Sequence, residues 1–458
     1  MSKNSLGREL PEQVGSYRVR PYEGAYQPLP EVKPVVTRRT AGHRVPGGNK
    51  LVPTLEDAII ASGLKDGMTI SFHHSFREGD KVIGQVLTAI RELGIKGLRF
   101  APSAVVNIKE PSIVDFVKDG TINRIEASGI RGQLGDAVLS GEVELAEPVI
   151  LRTHGGRPRA IEAGELQIDV AFIGASAADD YGNCTSQIGP NACGSMGYSF
   201  VDAHNAGCVV VVTDNLVDYP CCPVSISQQY VDYVVKVDSI GDPAKIGAGA
   251  ARLTKNPRDL MIAQRTVDVM AASRRFKDGF SFQTGAGAIE IDNADYANAY
   301  SKGGYLNRED FGILGALEVD TDFNVNILTG SSGEMRGGLG GGPDVAGGAQ
   351  VSIVTIPVIR GRTPSIVKKV FTTCTPGETV AVVVTEAGIA LNPKHKNYQE
   401  LKEDLEAAGL KLVTIEELQQ LAESMTGVPK PIETGDKVVC MVEYRDGSVV
   451  DVIRQIKK

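Results

Sequence analysis

Short, continuous apolar runs rich in β-branched residues, alternating with helix-length segments, restrict this chain more than any other feature. Thr69–Phe72, Leu98–Ala101, Arg124–Ala127, Ile168–Gly174, Cys208–Thr213 and Tyr233–Val237 read as strands; Thr54–Ser62 and Lys81–Leu93 read as helices. Strands that are apolar on both faces and alternate with helices belong to an open α/β fold, a parallel sheet covered on both sides. A long helix follows over Pro257–Arg275, with Asn256-Pro257 as its opening signal.

The chain then starts again. Lys65-Asp66-Gly67-Met68-Thr69-Ile70-Ser71-Phe72 is echoed by Lys277-Asp278-Gly279-Phe280-Ser281-Phe282. Asp169 to Ala175, with Asp179 and Asn183, is echoed by Asp310 to Ala316, with Asp320 and Asn324. Ala206-Gly207 before one strand matches Gly347-Gly348 before another, Val351–Thr355. The last two pairs share an offset, 310 − 169 = 141 and 348 − 207 = 141, whereas the first gives 278 − 66 = 212. The first two echoes are thus 169 − 66 = 103 positions apart in the front half and 310 − 278 = 32 in the rear. The rear copy therefore lacks about two β-α units, and two tandem open α/β domains are expected, the second shortened. This divides the chain into an extended arm over 1–50, a first domain over 51–275 and a second over 276–458. The arm wraps the body or a partner. Helices over Tyr398–Ala408 and Ile415–Met425 precede a closing β-hairpin, Lys437–Tyr444 with Ser448–Arg454, which turns at Arg445-Asp446-Gly447.

Composition excludes several classes. With 458 residues the chain has room for two or three full cores, and 42% hydrophobic with 23% charged residues is ordinary for a globular protein. A net charge of −8 without a long basic run argues against nucleic acid and anionic membrane as partners. No apolar stretch is long enough to span a bilayer, and Met1–Glu12 lacks the apolar core of a signal peptide. Seven cysteines without a Cys-x-x-Cys point to a reducing compartment, the cytoplasm.

Between the strand-like runs Phe323–Leu328 and Gln350–Pro357 lies Gly330–Gly348, in which nine of nineteen residues are glycine. Ordering so much glycine is costly, and a chain carries that cost where backbone must approach a ligand or take positive φ; a flexible linker is the alternative. The spacing matches neither a P-loop nor a dinucleotide fingerprint.

Other candidate sites end strands, where open α/β sheets place ligands. Ser71-Phe72-His73-His74-Ser75-Phe76-Arg77-Glu78-Gly79-Asp80 offers two imidazoles and a guanidinium suited to a polycarboxylate; a zinc site without an evident third ligand and a plain structural turn are the alternatives. Ser128-Gly129-Ile130-Arg131 adds a second cation among small residues. Thr153-His154-Gly155-Gly156-Arg157-Pro158-Arg159 reads as a turn with titratable groups, either a site or plain surface. Gly174-Ala175-Ser176 and Asp179-Asp180 end another strand, and these carboxylates serve acid/base chemistry or simply cap and turn the chain. Asp310-Phe311-Gly312 imitates the kinase magnesium motif, but no accompanying catalytic loop exists and it reads as a strand start.

Together, Ser71–Asp80, Ser128–Gly135, Gly155–Glu162, Asp169–Asn183, Ala316–Asn326 and Val442–Gly447 resemble the citrate lyase alpha subunit family over nearly the whole chain. The resemblance implies tandem α/β domains of the CoA-transferase (isomerase-like) type. It also implies transfer of a carrier-protein thioester from acetate to citrate. No covalently bound cofactor is implied. The thioester substrate is the dephospho-CoA-derived prosthetic group of an acyl carrier protein, or acetyl-CoA. The implied partners are the beta (lyase) and gamma (acyl carrier protein) subunits, in a hetero-oligomer. Related CoA-transferases use a glutamate nucleophile; this branch is held to act without one, and no candidate glutamate stands out. By role, His73, His74, Arg77, Ser128 and Arg131 are expected to bind citrate. Gly174, Ala175, Gly285, Gly287, Gly337 and Gly338 are expected to hold the thioester arm, and Gly340, Gly341, Gly342 and Asp344 to serve catalysis, with no metal. Such subunits usually continue after the equivalent of Gly287 into further helices and strands, whereas here Ala288 joins Ile289 directly. Natural deletion and trimming both produce such a junction. An inactive scaffold, or another acyl-CoA transferase or hydrolase on the same fold, is the alternative.

Overall fold

The computed structural model describes residues 2–15, 17–28, 48–105, 112–246, 254–284, 298–300 and 304–457. They pack as two units, one holding the described residues of 48–246, the other those of 2–28, 254–284 and 298–457.

The front unit is built on eight parallel strands: β1 (Leu51–Val52), β2 (Thr69–Ser71), β3 (Leu98–Phe100), β4 (Ile122–Ala127), β5 (Val149–Leu151), β6 (Val170–Gly174), β7 (Cys208–Thr213) and β8 (Tyr233–Lys236). Their order is β5-β4-β3-β2-β6-β7-β8-β1. The helices that cross between them are α1 (Leu55–Ser62), α2 (Val82–Glu92), α3 (Ile113–Lys118), α4 (Gln133–Ser140), α5 (Gly156–Glu162) and α6 (Gly197–Asn205). Every residue of β6 and β7 is buried, as a sheet covered on both faces requires. From β2 the chain winds outward through β3, β4 and β5, then returns to β6 on the other side of β2. The strand order therefore reverses between β2 and β6, and open α/β sheets place their ligand crevice at the carboxyl ends beside such a reversal.

The rear unit repeats one side of this plan. After α7 (Pro257–Ala272) come β9 (Phe282–Thr284), β10 (Phe311–Gly315), α8 (Gly342–Gly348), β11 (Val351–Thr355), β12 (Val382–Val384), β13 (Ile389–Leu391) and β14 (Leu412–Val413). The sheet runs β9-β10-β11-β12-β13-β14, with β13 antiparallel to β12. Both halves fix the first echo alike: the Thr69 N–H donates to Asp169 Oδ2 (2.7 Å), and the Ser281 N–H donates to Asp310 Oδ2 (3.0 Å). Three strands, β3 to β5, lie beyond β2, whereas among the described residues the rear sheet ends at β9.

Three expectations are corrected. Phe323 does not begin a strand; it takes φ 64° in a turn, and only Val325–Asn326 pair. The Asp320 carboxylate imposes this turn. It accepts the N–H groups of Asp322 (3.0 Å) and Asn324 (2.9 Å) on Oδ1, and Asn324 Nδ2 (3.2 Å) and the Val370 N–H (3.3 Å) on Oδ2. The glycine-rich stretch is not loop throughout, because its last seven residues form α8. A Cβ on Gly347 would lie 2.3 Å from Tyr444 Oη, and one on Gly348 2.5 Å from the Leu306 carbonyl oxygen, so these glycines serve close packing. Finally, Thr153–Arg159 is not a surface turn: Thr153 and Arg157 are buried and α5 begins at Gly156, Pro158 being tolerated in its first turn.

Residues 2–28 belong to the rear unit. Asn4 Nδ2 donates to the Val449 and Val450 carbonyls (3.2 and 2.8 Å), and Tyr22 Oη donates to Glu378 Oε1 (2.6 Å). The final hairpin pairs β15 (Thr434–Glu443) with β16 (Val449–Ile456). No helix among the described residues is long and apolar enough to cross a membrane.

Candidate functional site

The crevice between β2 and β6 is lined by the segment that follows β2. Phe76 in that segment is fully buried and lies over Gly174, where a Cβ would sit 2.3 Å from its ring. Burial of such a ring stabilises the loop by about 2–3 kcal/mol, and glycine is the residue that admits it. His73 completes the anchor. Its Nε2 lies 2.8 Å from the Gly174 carbonyl oxygen, which only accepts, so Nε2 carries the proton and Nδ1 accepts the Ser75 N–H (3.2 Å). Both nitrogens are thus engaged, and burial lowers the imidazole pKa.

His74 faces the next strand end. Ser103, two residues beyond Ala101, receives the His74 backbone N–H (3.0 Å) on Oγ, which also meets Nδ1 of the same ring. The ring of His74 lies 5.5 Å from that of His154 and 5.7 Å from that of Tyr198, and His154 and Tyr198 are 5.1 Å apart, edge to face. Burial, and then the neighbouring imidazole of His154, push His74 well below the usual histidine range; burial and the Arg157 guanidinium bring His154 to about 4. Both are neutral imidazoles near pH 7.

Beneath them lies a buried ion pair. Arg157 donates to both Asp202 oxygens (2.7 and 2.9 Å) and to the Ala101 carbonyl (3.0 Å), and Asp202 also accepts the Ser71 hydroxyl (2.8 Å). One network thereby joins the ends of β2 and β3 to α5 and α6.

Of the residues singled out from sequence, His73, His74 and Arg77 line one loop. Arg77 is half-buried at φ 50°, a left-handed conformation uncommon outside glycine. Ser128 is buried at the end of β4, its N–H donating to the Ser103 carbonyl (3.2 Å), and Arg131 is exposed. The Ala175 N–H donates to the Val212 carbonyl (2.9 Å). Asp179 repeats the Asp320 turn, accepting the Tyr181 and Asn183 N–H groups (both 3.0 Å). Gly285 and Gly287, with the Ala288–Ile289 junction, lie outside the described residues. In the rear unit Gly341 precedes α8, and nothing lies within 4 Å of a Cβ built on Gly340 or Gly341. Gly337 packs against the Ile327 carbonyl, and Gly338 is half-buried. Asp344 is fully buried, 4.0 Å from the Arg445 Nε. No cluster of metal-binding side chains occurs among the described residues.

The sequence reading passed over Ser103, Tyr198 and Asp202. Ser103 was detectable as a hydroxyl two residues past a strand end, and Tyr198 and Asp202 as an i, i+4 pair on one face of α6.

Buried strands, a switch-point crevice and a duplicated rear half define a CoA-transferase-type fold. An acyl-CoA transferase from Escherichia coli O157:H7 superposes with a TM-score of 0.57 over 85% of this chain and 100% of that one, at 12% identity, which speaks for the fold alone. The family model for the citrate lyase alpha subunit matches residues 48–290 and 288–456, two stretches that meet at the Ala288–Ile289 junction. The citrate lyase alpha chain of Klebsiella pneumoniae is 44% identical over 471 residues, covering 89% of this chain and 92% of that one. A crystal structure from Streptococcus mutans, described as a candidate alpha subunit of citrate lyase in complex with citrate, has a TM-score of 0.93 and 40% identity, with 100% of both chains covered. The chain belongs to the citrate lyase alpha subunit family.

Proposed function

We infer that this chain transfers a carrier-protein thioester from acetate to citrate, as a subunit of a complex with a lyase subunit and an acyl carrier protein subunit. Family membership at 44% identity across nine-tenths of both chains is the observation that carries this reading. The front crevice supports it chemically, with the Arg77 guanidinium near the His74 imidazole and Arg131, exposed after β4, as a further cation. His74, Arg77, Ser128 and Arg131 are proposed to meet the citrate carboxylates, with His73 holding their loop to Gly174.

The reaction needs no nucleophile from the protein. A citrate carboxylate oxygen attacks the acetyl carbonyl carbon, the C–S bond breaks, and the thiolate leaves with the electron pair. That thiolate attacks the citryl carbonyl of the resulting anhydride, and acetate departs. Each addition places negative charge on a carbonyl oxygen, and preorganised backbone N–H groups stabilise such oxyanions. Gly337, Gly338 and Gly340 to Gly342 are proposed to supply that backbone for the thioester of the carrier arm, or of acetyl-CoA. Asp344 is proposed to hold the segment in place through Arg445. Glu318 is buried, its Oε2 accepts Asn326 Nδ2 (2.9 Å), and burial raises its pKa.

Steady-state kinetics of Arg77→Ala and His74→Ala with an acetyl thioester test the site. The KM for citrate should rise about tenfold or more for each charge-assisted contact removed. An unchanged KM in both variants would remove the front crevice as the citrate site.

A further inference from the structure

The His154 ring stands apart from the rest of the crevice in how it is held. It follows β5, is half-buried, and contacts the rings of His74 and Tyr198. No hydrogen bond fixes either of its nitrogens among the described residues. Among the described residues, His74 from the loop after β2 and Tyr198 from α6 meet its ring, and Arg157 from α5 acts on its charge, while His73 and Arg77 lie near His74. Asp202, the carboxylate that pairs with Arg157, is committed to Arg157 and Ser71. Among the described residues, no carboxylate stabilises a proton on His154. Burial and the Arg157 guanidinium disfavour it, in keeping with a pKa of about 4.

A polycarboxylate reverses this balance. Anionic oxygens within about 4–6 Å of an imidazole favour its charged form, and a ligand with three carboxylates brings more negative charge than a monocarboxylate. We propose that His154 is a specificity-determining contact that takes up a solvent proton as the tricarboxylate binds, so that the crevice becomes cationic only for a ligand of high negative charge. The lone pair of one ring nitrogen accepts the proton, and the resulting imidazolium donates to a ligand carboxylate; no other bond changes. A monocarboxylate such as acetate lacks the charge to drive this step, which gives the site a means of preferring citrate over the released product. This inference rests on the front crevice being the citrate site.

Isothermal titration calorimetry of the full chain with citrate, in two buffers of different ionisation enthalpy, tests it. At pH about 7.5 citrate is almost wholly the trianion, so protons taken up report the protein's own groups. Wild type should take up a fraction of a proton or more per citrate, His154→Gln and His154→Asn less by that amount, and the wild-type affinity should fall more steeply with rising pH than that of the variants. Citrate binding without proton uptake by the wild type overturns the proposal whether or not the variants fold. Equal proton counts and parallel pH profiles in folded variants also overturn it. An absence of citrate binding would overturn both this inference and the site assignment on which it rests.

Discussion

Arg157 grips Asp202 through two hydrogen bonds of 2.7 and 2.9 Å, with both side chains buried, and this pair ties four elements together under the crevice. Such a pair is worth little relative to apolar replacements, yet losing one partner is costly because the other charge is left buried and unpaired. Asp202→Asn should therefore cost about 3–5 kcal/mol, read as a fall in the calorimetric unfolding temperature. The double variant Arg157→Met/Asp202→Leu should recover part of that loss. If Asp202→Asn melted with the wild type, the ion pair would not be holding the crevice.

Asp179 and Asp320 form the same turn in the two halves, 141 residues apart. Each carboxylate accepts four hydrogen bonds. Asp320→Ala leaves those donors without a partner and keeps Phe323 at positive φ, so a loss of about 2–4 kcal/mol is expected. Limited proteolysis or hydrogen exchange should locate the opening in the rear unit, with the front unit protected. Uniform loss of protection across both units would contradict the local account.

This duplication shows what the sequence makes legible. Asp169 and Asp310 could be paired by eye because each lies at a strand start with matching apolar runs behind it, and the structure gives both the same backbone hydrogen bond. The crevice was half legible. His73, His74 and Arg77 share one loop in the sequence, but His73 meets Gly174, 101 positions away, and Arg157 meets Asp202, 45 positions away. Such pairings depend on strand order, which local pattern does not encode. Helix α5 was hidden behind Gly155-Gly156 and Pro158, residues that ordinarily interrupt helices.

Buried histidines should make the fold sensitive to acid. His395 is buried, its Nδ1 accepts the Asn397 N–H (3.2 Å), and burial with nearby Lys396 and Arg275 lowers it from 6.5 to about 4. The native state holds it neutral while the unfolded chain protonates it near 6.5, so its contribution is intact above pH 6.5 and is lost as pH falls toward 4. His73, His74 and His154 shift in the same direction. Each group adds at most about 1.4 kcal/mol per pH unit within its window. His395→Asn preserves the acceptor and should flatten the melting-temperature profile below pH 6.5 while matching the wild type's slope above it. Identical slopes below pH 6.5 would rule out this source.

Gly341 separates stability from catalysis. Its φ of −91° suits any residue, and nothing lies within 4 Å of a Cβ built there. Gly341→Ala should shift stability by less than about 1 kcal/mol. If the thioester approaches this backbone, the added methyl group should lower kcat by about tenfold or more. Wild-type turnover would place the thioester elsewhere.

The central claim is transfer itself, and mass spectrometry of the acyl carrier protein measures it directly. The full chain is incubated with acetyl-carrier protein, with and without citrate, and the acyl group on the carrier is identified over time. The account predicts that citrate converts acetyl-carrier protein to citryl-carrier protein with release of one acetate per transfer, and that the acetyl thioester persists when citrate is absent. An acetyl thioester unchanged by citrate would make the chain a scaffold, and acetate release leaving a free thiol would make it a hydrolase; either result contradicts the account.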